Sequence, residues 1–285
     1  MKNIYVVGSI NTDLVINTPY MPKAGETLTG SGFFTAHGGK GANQAVAAAR
    51  LGGKVIMCGC VGNDDFGFSA INAFVKEGID VENVRKVDGV PTGTAVIIVE
   101  NGDNRIILDK GANACLTESD IDKALESAQA GDIYLTQLEN PIEIIGYGLK
   151  KAKEKGMFIV LNPAPANQDI APYLGYCDLI APNETELELF GGKEKLLEQV
   201  DTLLVTLGGD GFEIITKERT QQYPCMKITP VDTTAAGDTL CGGMVARLAE
   251  GSTLEESAKF GSKAASIACT RKGAQPSIPT RKEVL

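Results

Sequence analysis

Short apolar runs that end in glycine or a polar residue recur along this chain and alternate with segments of helical spacing. KNIYVVGSI is the first: its unbroken apolar stretch and Gly8 predict a buried strand leading into a functional loop. ANQAVAAARLG places small and apolar residues at helical spacing and closes on Gly52, a helix stop. KVIMCGCVG predicts the next strand, and SAINAFVKEG the next helix, stopped at Gly78. GDIYLTQL, GMFIVLNP, CDLIAPN and DTLLVTLG predict further strands, with helical segments such as PIEIIGYGLKKAKEKG between them. The alternation predicts an α/β fold: a doubly wound, mostly parallel sheet sandwiched by helices. Ligands of such sheets gather at the carboxyl ends of the strands.

Two segments break the rhythm. Residues 92–109 alternate with a two-residue period around Asn101-Gly102, a strong hairpin signal. Residues 11–36 are strand-like and turn-rich, with no helical period. Together they predict a small antiparallel β lid over the cleft, or else an edge meander. No internal repeat, low-complexity tract or linker divides the chain, so residues 1–285 read as a single domain.

Apolar residues at 43% and charged residues at 22% exclude a disordered chain. No apolar run reaches the roughly 18–20 residues of a membrane-spanning helix, and the start of the chain lacks the apolar core of a signal peptide. A net charge of −9 argues against nucleic-acid and anionic-membrane partners. The one histidine, His37, excludes any site needing two His ligands and leaves a His-dependent triad one candidate. Seven cysteines, an odd number without a CxxC pair, predict free thiols and a cytoplasmic setting.

Neither GxxxxGK[ST] nor GxGxxG after the first strand is present, so a phosphate enzyme must use another loop. Three loops are candidates. The first runs from Ala36 to Gln44, where three glycines let the backbone approach a ligand and Lys40 and Asn43 offer donors; an irregular turn capped by Asn43 reads equally well. The second, Thr206-Leu207-Gly208-Gly209-Asp210-Gly211, is a strand exit that a plain hairpin turn would match. The third runs Val231-Asp232-Thr233-Thr234-Ala235-Ala236-Gly237-Asp238 straight into a helix. There the free N–H groups of Ala235 to Asp238 would converge, and the helix dipole adds about half a positive charge. Asp238 is either an ordinary N-cap or a general base at the mouth of this anion cradle. A carboxylate beside such a cradle is what hydroxyl-to-phosphate transfer requires. Asn11 and Asp13, past the first strand, can grip vicinal hydroxyls or form an Asx turn. Glu139 closes another strand exit. Asn183, Glu184 and Glu186 either hold Mg²⁺ through water or begin a helix. TRKGAQ at 270–275 is an ion loop or a surface turn.

On GSINTD, GGKGANQAVAAARLG, LNPAPA, PNETE, VDTTAAGD and TRKGAQPS the chain resembles the ribokinase-like carbohydrate kinase superfamily, over nearly its whole length. The resemblance implies transfer of a phosphoryl group from ATP to the 5-hydroxyl of a pentose, D-ribose. Alternatives are a related kinase for deoxyribose, fructose, another ketose or a nucleoside, or a sugar-binding relative without turnover. It implies Asp238 as base and the amides of Ala235, Ala236 and Gly237 as anion hole. Asn11, Asp13, Gly39, Lys40, Asn43 and Glu139 would form the sugar site. Asn183, Thr206, Gly208, Gly209, Asp210, Gly211, Gly237 and Ser262 would take ATP, with Glu186 near Mg²⁺. Asp232, Thr234, Ala268, Arg271, Gly273 and Ser277 would surround a monovalent cation, K⁺. Two lids would pack into a homodimer. The chain departs from the pattern at Leu240-Cys241-Gly242, behind the cradle, at Ser262-Lys263, beside the adenine, and at Gly191–Val200, a shortened helix.

Overall fold

The computed structural model describes residues 1–285. In chain order its elements are β1 (Asn3–Val7), β2 (Asn11–Thr18), β3 (Ser31–Gly38), α1 (Lys40–Arg50), β4 (Lys54–Gly62), α2 (Asp65–Lys76), β5 (Asp80–Val87), β6 (Gly93–Glu100) and β7 (Asp103–Asp109). There follow α3 (Glu118–Ala124), β8 (Ile133–Thr136), α4 (Ile142–Glu154), β9 (Phe158–Leu161), β10 (Leu179–Ile180), α5 (Glu184–Leu189) and α6 (Gly192–Leu197). The last are β11 (Thr202–Thr206), β12 (Phe212–Thr216), β13 (Thr220–Tyr223), α7 (Ala236–Ala249), α8 (Leu254–Ala268) and α9 (Arg281–Val284).

The main sheet has nine strands in the order β13-β12-β11-β10-β9-β8-β1-β4-β5. From β11 to β5 every pairing is parallel; β12 and β13 append as antiparallel neighbours. The central parallel strands are buried on both faces, which is why they read as continuously apolar, whereas the edge strand β5 is polar and only partly buried. β1 shows the division: Ile4 and Val6 point to a core shared with α1, α2, α7 and α8, and Tyr5 and Val7 to a core shared with α3 and α4. The predicted doubly wound sheet between helical layers is what the chain forms.

Strand order reverses around β1, since the chain builds outward to β4 and β5 and then returns to β8 on the other side. The crevice at the carboxyl ends of β1 and β8 is therefore the topological switch point, where open α/β sheets bind ligands.

The second sheet has the order β3-β2-β6-β7. Two antiparallel hairpins, β2–β3 and β6–β7, join side by side through a parallel pairing of β2 with β6 from Asn11↔Gly93 to Thr18↔Glu100. The β6–β7 turn is the Asn101-Gly102 dipeptide, with φ of 52° and 90°, the left-handed pair a two-residue hairpin needs. β3 extends two residues beyond the expected segment, to Gly38, and so carries the lid directly into α1. In the shortened segment Gly191–Val200 the chain forms only the six-residue α6.

Candidate active site

Strand exits supply most of the site. Asn11 follows β1, Glu139 follows β8, Asn183 follows β10, and Thr206 ends β11. The α1 N-terminus is pressed against the β1 exit. A Cβ on Gly41 would stand 2.6 Å from the Gly8 carbonyl carbon and the Ser9 nitrogen, and one on Gly39 (φ 90°) 2.8 Å from the Asn11 nitrogen. These two glycines let the α1 N-terminus pack backbone to backbone on the β1 exit. Glu139 accepts from the Ser9 hydroxyl and from the Lys40 N–H (3.0 Å), at the first residue of α1. Asn43 is no cap; it lies one turn inside α1, 6% exposed, and donates to Asp238.

The loop before α7 turns into the helix at Ala235, whose φ of 59° is unusual for a residue other than glycine and costs about 1 kcal/mol. The N–H groups of Ala235, Gly237 and Asp238 have no partner within the chain. The expectation of four free amides is corrected at Ala236, whose N–H donates to the Thr233 carbonyl (3.2 Å) because the loop closes a tight turn there. Asp238, the third residue of α7, does not cap the helix. It is 6% exposed, and its carboxylate is held from α1: Asn43 Nδ2 donates to Oδ2 (3.0 Å) and Gln44 Nε2 to Oδ1 (2.9 Å).

Asp238 lines a cavity of about 250 Å³ together with Lys40, Asn183, Glu186, Thr206, Ala235, Ala236, Gly237 and Cys241. A neighbouring cavity of about 440 Å³ shares Thr206, Thr233, Ala236 and Gly237 with it and extends past Gly208, Gly209, Gly211 and Ser262. No atom lies within 4 Å of where a Cβ on Gly208, Gly209 or Gly237 would stand, so these glycines leave open space. The second candidate loop is thus both readings at once: a hairpin turn between β11 and β12, and the floor of a cavity. Asp210, on the same turn, is exposed and outside the lining, as is Lys263, whereas Ser262 lines the cavity. Cys225, Met226, Ile228, Pro230 and Ala265 complete an apolar wall that the sequence pattern did not mark.

Charges reinforce one another here. Burial alone would depress the Lys40 ammonium, but the carboxylates of Asp238, Glu139 and Glu186 hold it above the usual lysine value. Burial raises the Glu186 carboxyl despite its bond from the Asn183 N–H (2.9 Å). Asn183 and Glu186 form a reciprocal capping box on α5, so both a helix start and a cavity wall are built from the same pair. Asp13, on β2, is no turn residue; burial and then the charge of Glu139 raise its carboxyl to about 6. Asn11 Oδ1 accepts from Asn113 Nδ2 (2.7 Å), while the buried Asn43 Oδ1 has no partner in the chain and is free to accept from a ligand hydroxyl. Burial drives the Cys241 thiol well up, so it is an inert packing group behind the cradle.

The implied cation residues sit on two loops stitched together. Asp232 Oδ1 accepts from the Thr234 N–H (2.9 Å) and hydroxyl (2.6 Å), and Oδ2 from the Gly273 N–H (2.9 Å). The Cys269 carbonyl accepts from the N–H groups of Val231 and Asp232. Arg271 pairs its guanidinium with Glu283 (2.6 Å) and gives its N–H to the Ala268 carbonyl, and the buried Ser277 hydroxyl donates to the Ala274 carbonyl (2.7 Å). The donors near Asp232 are oxygens, a set that suits a hard cation. No group of three or more His, Cys, Asp or Glu side chains is placed to hold a metal ion.

Fold and site together define a kinase of small hydroxylic molecules. The pfkB family carbohydrate kinase model matches residues 1–281, and the chain belongs to that family. It is 42% identical to ribokinase of Haemophilus influenzae over 298 residues, covering 100% of this chain and 97% of that protein. It also superposes on the crystal structure of ribokinase from Thermotoga maritima with a TM-score of 0.90 at 39% identity, covering 100% of this chain and 98% of that one. Against Arabidopsis thaliana ribokinase complexed with ribose and ATP the TM-score is 0.88 at 31% identity, covering 99% of this chain and 97% of that one. No helix is long and apolar enough to cross a membrane.

Proposed function

We propose that this chain transfers the γ-phosphoryl group of ATP to the 5-hydroxyl of D-ribose. The observation that carries the reading is the placement of the Asp238 carboxylate in one cavity beside amides that also line the next. Asn11, Asp13, Lys40, Asn43 and Glu139 hold the sugar, with the vicinal hydroxyls on the Asn11–Asp13 side. ATP occupies the larger cavity over Gly208, Gly209, Gly211 and Ser262, with Asn183 and Thr206 at its phosphate end. Asp238 takes the proton of the attacking hydroxyl. The Ala235, Gly237 and Asp238 amides and the α7 dipole hold charge on the transferring group. Glu186 would hold, through water, a magnesium ion brought with ATP, which would supply neutralisation of phosphate charge. The Asp232–Thr234 and Ala268–Ser277 loops would hold K⁺, ordering the cradle from behind.

Residues 1–285 act as one domain, with the second sheet as its lid. Phe33, Phe34, Ile106, Ile107 and Leu108 are exposed on that sheet, and the reading pairs two lids into a homodimer. The seven free cysteines accord with a cytosolic setting.

The test is ADP release with ribose, deoxyribose, fructose and a nucleoside, each with and without K⁺. Ribose should give the highest kcat/KM, and Asp238→Asn should lower kcat at least a hundredfold with little change in sugar KM. No ribose-dependent ADP release, or near-normal turnover by the variant, would overturn the reading.

A further inference from the structure

Behind Asp238 lies a chain of buried amides, of which Asn162 also lines the cavity that holds Asp238. It begins at a group whose polarity is fixed, the Ala181 main-chain carbonyl, which can only accept. Asn162 Nδ2 donates to that carbonyl (2.9 Å), so Asn162 presents Oδ1 on its other side. Gln44 Nε2 donates to Asn162 Oδ1 (3.0 Å) and to Asp238 Oδ1 (2.9 Å), which uses both of its protons. Gln44 Oε1 then accepts from Gln137 Nε2 (2.6 Å). Flipping the Gln44 amide would set its oxygen against two acceptors and its NH₂ against a donor. Gln44 is fully buried and Gln137 nearly so, and no water competes at such a site as it does at a surface. The Gln137 side chain is itself seated by Gly8, where any Cβ would collide with its Oε1.

We infer that Gln44 is a positioning residue for the transfer, its amide orientation dictated by the Ala181 carbonyl through Asn162 and locked by Gln137. The inference rests on the reading of Asp238 as base. Asn43 and Gln44 each occupy one carboxylate oxygen, which fixes the plane of the carboxylate and leaves a lone pair on each oxygen for a substrate hydroxyl. A side chain that only filled space at position 44 would keep the core intact and let that plane turn.

Three variants test this. Gln44→Leu keeps volume and removes both donors: kcat should fall about 10- to 100-fold while KM for ribose and ATP stays within about threefold. Gln137→Leu frees the Gln44 amide to turn and should lower kcat less, about 3- to 10-fold. Gln44→Glu sets a second carboxylate against Asp238. The pair then shares a proton into the neutral range, and the acid limb of the kcat profile moves to higher pH. The charged or titrating groups around Asp238 are Lys40 from α1, Glu186 from α5 and Cys241 from α7 itself, and all are present in every variant. A merely structural Gln44 would lower the melting temperature of Gln44→Leu and leave the kcat of the folded variant unchanged. Wild-type kcat in Gln44→Leu, or an unshifted limb in Gln44→Glu, would overturn the relay. A wild-type chain that turns over no sugar would instead overturn the kinase reading, and the relay with it.

Discussion

Asp13 is a carboxylate held where water reaches it poorly, packed on Gly38 and facing Glu139. Its folded value of about 6, against 3.8 for the free side chain, sets a sign. The native state keeps this proton up to about pH 6, whereas the unfolded chain releases it near 3.8, so this group contributes a fall in stability as pH rises from about 4 to 6. Above that range the ionised form is retained at a cost in stability, and only that form accepts hydrogen bonds through both oxygens. Asp13→Asn should therefore raise the melting temperature at pH 8, with the gain shrinking towards pH 4. Wild-type kcat/KM for ribose should drop as pH falls through about 6, and the variant should lose that limb along with most of its sugar affinity. Thermal melts and kinetics across pH 4–8 measure both. Lys40, Asn43 and Asp238 were legible as chemistry because each stands where a run of small residues enters a helix. Gln44 and Asn162 were not, although both lie in the segments GGKGANQ and LNPAPA, because an amide carries no charge to flag its role. The available signal was burial: Gln44 is a polar side chain inside a helix of alanines, and such a group must find partners.

At the scale of elements, the distance between α1 and α7 sets how Asn43 and Gln44 meet Asp238. Gly242 is the contact that sets it. A Cβ there would stand 2.5 Å from Ala47 Cβ and 2.7 Å from the Gln44 carbonyl, so α1 would have to move outward. Gly242→Ala should cost about 1–3 kcal/mol of stability by overpacking. It should also lower kcat about tenfold or more, since small displacements of a catalytic group are expensive in rate. Denaturant titration and turnover read the two effects separately, and unchanged turnover in the folded variant would show that the spacing is unimportant. The strands and helices around this interface were legible because apolar periodicity follows burial: strands buried on both faces read as solid apolar runs. The parallel β2–β6 pairing was not legible, since it joins segments some eighty residues apart in the chain and leaves no local period to mark it. α7 is buried on nearly all sides and shows little amphipathic contrast, so it was legible only from the small residues that run into it.

For the whole molecule, the lid is the surface that solvent should not cover. Register places Ile106 opposite Ile97 and Ile107 opposite Val96, so the neighbours Ile106 and Ile107 project from opposite faces of β7, at 59% and 67% exposure. Phe34 stands opposite Val15, two positions along β2 from Asp13, and therefore on the same face as Asp13, while Phe33 points the other way. In the proposed homodimer, a lid apolar on both faces would close over a sugar with one and meet its partner with the other. Two chains each carrying −9 would repel, so association in the proposed dimer would come from apolar burial, and added salt should strengthen it. Charging both faces at once with Ile106→Arg and Ile107→Arg should convert a dimer to a monomer at micromolar concentration. Little stability should be lost within each chain, because neither side chain belongs to its core. Light scattering coupled to size exclusion gives the mass, and the same sample gives the ribose KM, which should rise as the lid loses its support. A doubly charged variant that remains dimeric would move the interface away from this sheet.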